Sequence, residues 1–394
     1  MKLPKIALVW KVLIACILGI CLGLFLPVPI VRIFTTFSAI FSQFIGFLVP
    51  LIILGLVTPA ICRVGKKAGK MILATVLLAY FSTVLAGFFS YFTSAGLFPK
   101  IIGDSTTGVE LASSVNVDPF FTMNIPPLMD VMTALVLAFL LGIMLTILER
   151  DYLRNVVYDF EAVTVMSIRK VFIPLMPLYI FCIFLKMSCT GEAVPVLKVF
   201  AVMILVIFAM SLVWLIVMFC VAGVISKKNP FKALRSMLPA YFTALGTSSS
   251  AATIPVTMTS AVNCGVRENI AAFTVPLCAT IHMPGSIIKI TACSITIMLM
   301  QGMSFDLAMF TGFITLLAIT MVAAPGVPGG AIMAAIGVLS SVLGFGQVEQ
   351  ALIIALYVVM DCFGTACNVT GDGAISLIIN TFFKDPNPAP TAAE

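Results

Sequence analysis

DCFGTACNVTGD, residues 361–372, sets two carboxylates, a threonine and an asparagine inside an apolar stretch long enough to span a membrane. At about 100° per residue, Asp361, Thr365, Asn368 and Asp372 fall within a band about 60° wide over roughly three turns of helix. An ionised Asp at mid-bilayer costs at least about 2.5 kcal/mol on insertion scales, so two on one stripe require paired surroundings in the protein interior. Such a face attracts cations or amines.

The rest of the chain fits that setting. Its 394 residues are 61% hydrophobic and 10% charged, with a mean hydropathy of +1.19, the composition of an integral membrane protein. Apolar runs cover 8–27, 37–62, 70–97, 129–148, 158–189, 193–226 and 265–300, and two more, 303–343 and 346–383, carry Gly, Pro and Asp. The first run follows Lys2 and Lys5 but is too long for a signal-peptide core and has no small-residue cleavage site, so it reads as a span. Cations gather at Lys2, Lys5 and Lys11, at Arg63, Lys66, Lys67 and Lys70, at Arg150 and Arg154, and at Lys227, Lys228, Lys232 and Arg235. The alternate joints hold Asp104, Glu110, Asp118 and Glu192 with few cations. The positive-inside rule then predicts a multi-pass protein of the cell membrane with both termini cytoplasmic. The net charge of +6 reflects this topology rather than a nucleic-acid partner. The 11 cysteines are scattered through apolar runs without a CxxC, which reads as small apolar packing rather than disulfides or metal.

Up to about residue 226 the spans are rich in Leu, Ile, Val and Phe; beyond it, helix breakers enter the spans themselves. YFTALGTSSSAATIPVTM (241–258) and TMVAAPGVPGGAIMA (320–334) cannot form continuous helices, because Pro lacks a donor and Gly is permissive. Broken backbone at membrane depth is tolerated only where it is buried in protein or lines a cavity. Two such hairpins, each followed by a full-length span with a polar stripe, predict an inverted repeat (229–300 and 303–383) around a mid-membrane site.

SSSAATIPVTM, PLCATIHMPGS, APGVPGGAIM and DCFGTACNVTGD occur in this order, preceded by TPAICRVGKKAGK at 58–70. Their order and spacing resemble the dicarboxylate/amino acid:cation symporters, which include the glutamate transporters. The resemblance implies an all-α membrane protein with eight transmembrane helices and two re-entrant helical hairpins, working as an elevator in a homotrimer. It implies scaffold helices in 1–62 and 129–190. A transport domain would occupy 63–128 and 191–383, with hairpins at 229–261 and 303–343, a seventh span at 265–300 and an eighth at 346–383. Residues 384–394 read as a disordered tail. Sodium ions would be co-transported, with no cofactor, and the partners would be an amino acid and membrane lipid of the inner cell membrane.

The departures bear on substrate. In acidic-amino-acid members an arginine follows the amine-binding aspartate by three residues; here the aspartate is Asp361 and the arginine position is Gly364. An alternative arginine before the serine triplet is Thr247 here. Without a forked donor a second carboxylate would be buried unpaired, which points to a neutral amino acid such as serine, threonine or alanine. Asp361 would take its ammonium, and Asn368 and Ser249 its carboxylate. Ser248, Ser250, Ser286, Gly364, Thr365 and the second-hairpin residues Val327, Pro328, Gly329 and Gly330 would complete the pocket. An acidic amino acid or dicarboxylate, with Lys289 supplying the cation and with proton coupling, is the runner-up. An anion channel or a substrate-binding receptor is the further alternative.

The ion sites also depart. The family's Asn-Met-Asp-Gly-Thr reads His282-Met283-Pro284-Gly285-Ser286 here, so one charged sodium ligand is missing. Ser82 and Thr83 match the hydroxyl pair of that deep site, but its tyrosine is Ala79. Two other sodium cages are expected, one from Asp372 and Asn368 with carbonyls near Cys278 and His282, the other from Thr280 and the carbonyls of Met283 and the second hairpin. His282, the single histidine, and Lys289 are seven residues apart and are expected on one face of the seventh helix, where the Lys289 ammonium stands in for a missing sodium or one of the two takes up a proton during the cycle. The competing reading makes Lys289 a counter-ion for Asp361 or Asp372 and His282 a hydrogen-bonded core residue. The serine triplet has no His-Asp set beside it, so no enzyme is expected.

Overall fold

The computed structural model describes residues 8–64, 70–106, 117–148, 151–191, 193–322, 324, 326 and 328–383. Val327 and the 384–394 segment lie outside them, as do Lys2, Lys5, Lys66, Lys67, Glu110, Arg150 and Glu192 of the charge pattern. The described residues form helices and no strands. Among the described residues six helical stretches are long and apolar enough to cross a membrane, two of them (Asp151–Cys189 and Glu268–Met300) made of successive helices, and Trp10–Gly23 and Val136–Leu148 are shorter apolar helices.

The first half is built from α1 (Leu8–Gly23), α2 (Val28–Val64), α3 (Lys70–Thr106) and α4 (Val131–Leu148). After α5 (Asp151–Ser167), a π-helical turn at Ile168–Phe172 leads directly into α6 (Ile173–Cys189), and α7 (Ala193–Ser226) follows. Arg169 and Lys170 in the π turn are exposed, away from the interior.

The second half breaks where its sequence breaks. Asn229 caps α8 (Pro230–Ser236) by accepting from the amides of Phe231 and Lys232. The helix α9 (Leu238–Thr247) stops at Ser248, which sits in the left-handed region at φ 49°. Ser249 then turns extended and accepts from Ala252 N–H to start α10 (Ser250–Asn263). The second hairpin pairs α13 (Leu307–Val322) with α14 (Gly330–Leu343), which begins after Gly329 at φ 75°, a conformation open to glycine at little cost. The hairpin tips meet, since Ser249 Oγ and Ala251 N–H both donate to the Gly326 carbonyl, at 2.9 and 3.3 Å.

The seventh span is a correction to the sequence reading. It is two helices, α11 (Glu268–Ile281) and α12 (Pro284–Met300), separated by an extended His282 and a non-helical Met283. A residue before proline avoids helical angles, and Pro284 then fits the first helical position, where no donor is needed. The eighth span carries only a slight break at Met360 between α15 (Gln347–Val359) and α16 (Asp361–Phe382). Each hairpin is therefore followed by a two-part helix.

Helix contacts fall into two sets. α2 packs on α4, α5 and α6, and α1 packs on α6. In the other set α16 is wrapped by α7, α9, α10, α11 and α12, while α3 lies along α12 and α13. The sets touch through α2 and α4 against α14, and through α1 and α6 against α15. The central pair α12 and α16 is buried over almost its whole length. Gly285 permits their close approach, because a Cβ there would lie 2.5 Å from the Gly364 carbonyl.

Candidate functional site

All four residues of the α16 stripe are buried, so the polar face predicted from 361–372 points inward. It divides into two clusters.

At its N-terminal end Asp361 lies beneath the second hairpin. Its Oδ2 accepts from Gly329 N–H at 2.8 Å, and its Oδ1 is 3.3 Å from the Lys289 ammonium. Lys289 has no exposed surface. Its ammonium also reaches the Met360 carbonyl at 3.4 Å and sits 3.7 Å above the Tyr357 ring, a cation–π contact. The space for this side chain comes from Gly364, where a Cβ would lie 2.2 Å from Lys289 Cε. Thr365 spends its hydroxyl on the Asp361 carbonyl at 2.8 Å. Asn368 joins α16 to α12: its oxygen accepts from Gly285 N–H at 2.8 Å and its amide donates to Ser286 Oγ at 3.1 Å. Ser286 is in turn 3.0 Å from the Tyr357 hydroxyl.

A cavity of about 20 Å³ opens between these groups and the hairpins. Ser248 and Ser250 line it from the first hairpin, and Gly326 and Ala331 from the second. Ser286 and Tyr357 form one wall, with Asp361, Thr365 and Asn368 on the other. Ser249 is not part of the lining; its side chain is the α10 cap and the bridge to Gly326. Pro328 and Gly330 flank Gly329 at the hairpin tip. A space of this size holds about one water molecule. A larger cavity, about 400 Å³, lies between the two helix sets, with Lys186 of α6 and Glu349 of α15 on its walls.

The C-terminal cluster is centred on Asp372. His282 Nδ1 lies 2.9 Å from Asp372 Oδ1 and its Nε2 lies 3.0 Å from Ser82 Oγ on α3. An ionised Asp372 makes Nδ1 the donor, and the hydroxyl can serve Nε2 in either charge state of the ring. Gly371 makes room for the ring, since a Cβ there would be 3.0 Å from His282 Cε1. Thr83 accepts from Met283 N–H at 3.4 Å and donates to the Ala79 carbonyl at 2.8 Å. The Cys278 carbonyl accepts from the His282 amide at 2.9 Å. Thr280 is exposed, its hydroxyl turned back to the Leu277 carbonyl at 2.8 Å.

His282 and Lys289 do not share a face. The break at 282–283 ends the helical register between them, and they serve different carboxylates. Sequence reasoning also missed Tyr357. Its signal was its place four residues before Asp361, as the only tyrosine in the eighth span.

Comparison with known proteins agrees with this architecture. The family model described as Sodium:dicarboxylate symporter family matches residues 8–382. A serine/threonine transporter from Acinetobacter baylyi is 27% identical over 402 residues, covering 94% of this chain and 96% of the relative. An excitatory amino acid transporter from Caenorhabditis elegans is 28% identical over 265 residues, 65% of this chain and 52% of its own. Human excitatory amino acid transporter 2 is 31% identical over 150 residues, 38% of this chain and 26% of its own. The chain thus spans about half of the nematode relative and a quarter of the human one, but nearly all of the bacterial one.

Proposed function

The chain belongs to the sodium:dicarboxylate symporter family, as a multi-pass membrane transporter and not an enzyme, and from that premise we propose that it is a secondary symporter for a small neutral amino acid. The observation that carries this reading is the charge balance of the pocket. Its one carboxylate, Asp361, is offset by one ammonium, Lys289, and the remaining lining is neutral. A zwitterion with an uncharged side chain adds no net charge to such a site. A dicarboxylate would bring in two negative charges with no forked guanidinium to receive them, unfavourable by several kcal/mol. The near full-length similarity to a serine/threonine transporter supports the same choice.

In this reading the substrate ammonium sits on Asp361, and its carboxylate takes the Asn368 amide and the hydroxyls of Ser248, Ser250 and Ser286. A site of about 20 Å³ is too small for an amino acid, so the second hairpin opens at Gly329 to admit it. Sodium is the driving ion, held near Asp372 with help from neighbouring carbonyls. The set built on α3 and α7–α16 is the transport domain, moving as an elevator against a scaffold of α1, α2 and α4–α6, in a homotrimer of the inner cell membrane with both termini cytoplasmic.

The runner-up is an acidic substrate. It is favoured by one observation, the Lys289 ammonium 2.4 Å from where a Cβ of residue 364 would stand. Uptake into proteoliposomes of labelled serine, threonine, alanine, aspartate and succinate, under separate sodium and proton gradients, decides between them. Serine, threonine or alanine uptake driven by sodium is expected; preferred uptake of aspartate or succinate sinks the neutral reading.

A further inference from the structure

The two oxygens of Asp361 have different partners. Oδ1 faces the ammonium of Lys289, which comes from behind the pocket and does not line the cavity. Oδ2 faces the pocket side and accepts from Gly329 N–H at the tip of the second hairpin. The lysine is held from three directions, by Asp361, by the Met360 carbonyl and by the Tyr357 ring, in a slot that exists because residue 364 is glycine. It has no exposed surface.

In a carrier that takes up an amino acid through one carboxylate, the substrate-free state is the difficult one. Once the ammonium has left, the carboxylate must be buried again under a closing hairpin and carried back across the bilayer alone, which is strongly disfavoured. Here a cation is already present on the other oxygen. We propose that Lys289 is a tethered counter-cation for Asp361, which lets the empty transport domain close and return without a countertransported cation. Oδ2 then exchanges between two donors, the substrate ammonium when loaded and Gly329 N–H when empty, while Oδ1 keeps Lys289 throughout. The hairpin tip thereby senses occupancy: it latches on Asp361 only when no ammonium occupies Oδ2. This inference rests on the symporter reading above and adds to it the mechanism of the return step.

The test separates return from loaded transport. Proteoliposomes carrying wild type or Lys289→Met are assayed with labelled serine for net uptake into serine-free vesicles, which needs the empty carrier to return, and for exchange into serine-loaded vesicles, which does not. Net uptake by the variant is expected to fall at least about tenfold more than exchange, with partial recovery in Lys289→Arg. An equal fall in both overturns the proposal. In parallel, unfolding midpoints of detergent-purified, substrate-free wild type, Lys289→Met, Asp361→Asn and the double variant form a cycle. The double variant is expected to lose less than the two single losses combined, and additive losses overturn the pairing. If wild-type vesicles move no serine, the neutral-substrate reading fails while the unfolding cycle still decides whether Lys289 balances Asp361.

Discussion

The two ends of the α16 stripe are built from the same residue type and partnered differently. Asp361 meets a lysine and the backbone of a hairpin that closes the pocket. Asp372, roughly three turns away, meets an imidazole that is itself held by a hydroxyl from α3, with both partners almost fully buried and outside the cavity lining. The first arrangement leaves one carboxylate oxygen for exchange between hairpin and ligand. The second places a ring of the chain at the carboxylate expected to hold a metal cation. Position on one helical face therefore does not give two residues one job; what reaches them from neighbouring helices does.

The largest effect expected from breaking this contrast is at Asp361. Asp361→Asn leaves the Lys289 ammonium buried without its carboxylate and removes the seat of the substrate ammonium, so uptake should fall by about a hundredfold or more in vesicles of matched protein content. Gly364→Ala comes next. Its Cβ meets the end of Lys289 in a slot with no exposed surface, so the ion pair must lengthen, and net uptake should drop by about tenfold. At the other end, His282→Asn removes the ring while keeping a polar group. Transport should persist with the half-saturating sodium concentration shifted by several fold, and an unchanged sodium curve would remove His282 from ion coupling. Smallest is Thr280→Ala, on an exposed hydroxyl that bonds only to its own helix, where stability and sodium dependence should change by no more than about 0.5 kcal/mol.

The stripe and the hairpins were legible because they depend on local rules. Helical periodicity put Asp361, Thr365, Asn368 and Asp372 on one inward face, and Ser248–Ser249 and Gly329 broke the hairpins where glycine, proline and serine said they would. The break at His282–Met283 was just as local, since Pro284 announced it, but an apolar run on both sides masked it. The partner of Lys289 was not legible. Spacing along the chain allowed Asp361 or Asp372, and the choice is made by Gly364 opening a slot on a different helix. Likewise Ser249, read as a ligand donor, is engaged as a cap and bridge between hairpin tips, an arrangement that needs two segments 77 residues apart in the chain.

The most direct test of the account is a binding measurement on the purified protein in sodium buffer. Calorimetric titration with L-serine is compared with 3-hydroxypropanoate, which keeps the carboxylate and hydroxyl and lacks the ammonium. If Asp361 is the ammonium seat of a neutral amino acid site, serine binds and the deaminated acid binds at least about a hundredfold more weakly, with Asp361→Asn abolishing the difference. Equal or tighter binding of 3-hydroxypropanoate would contradict the account and turn the pocket into a carboxylate site served by Lys289.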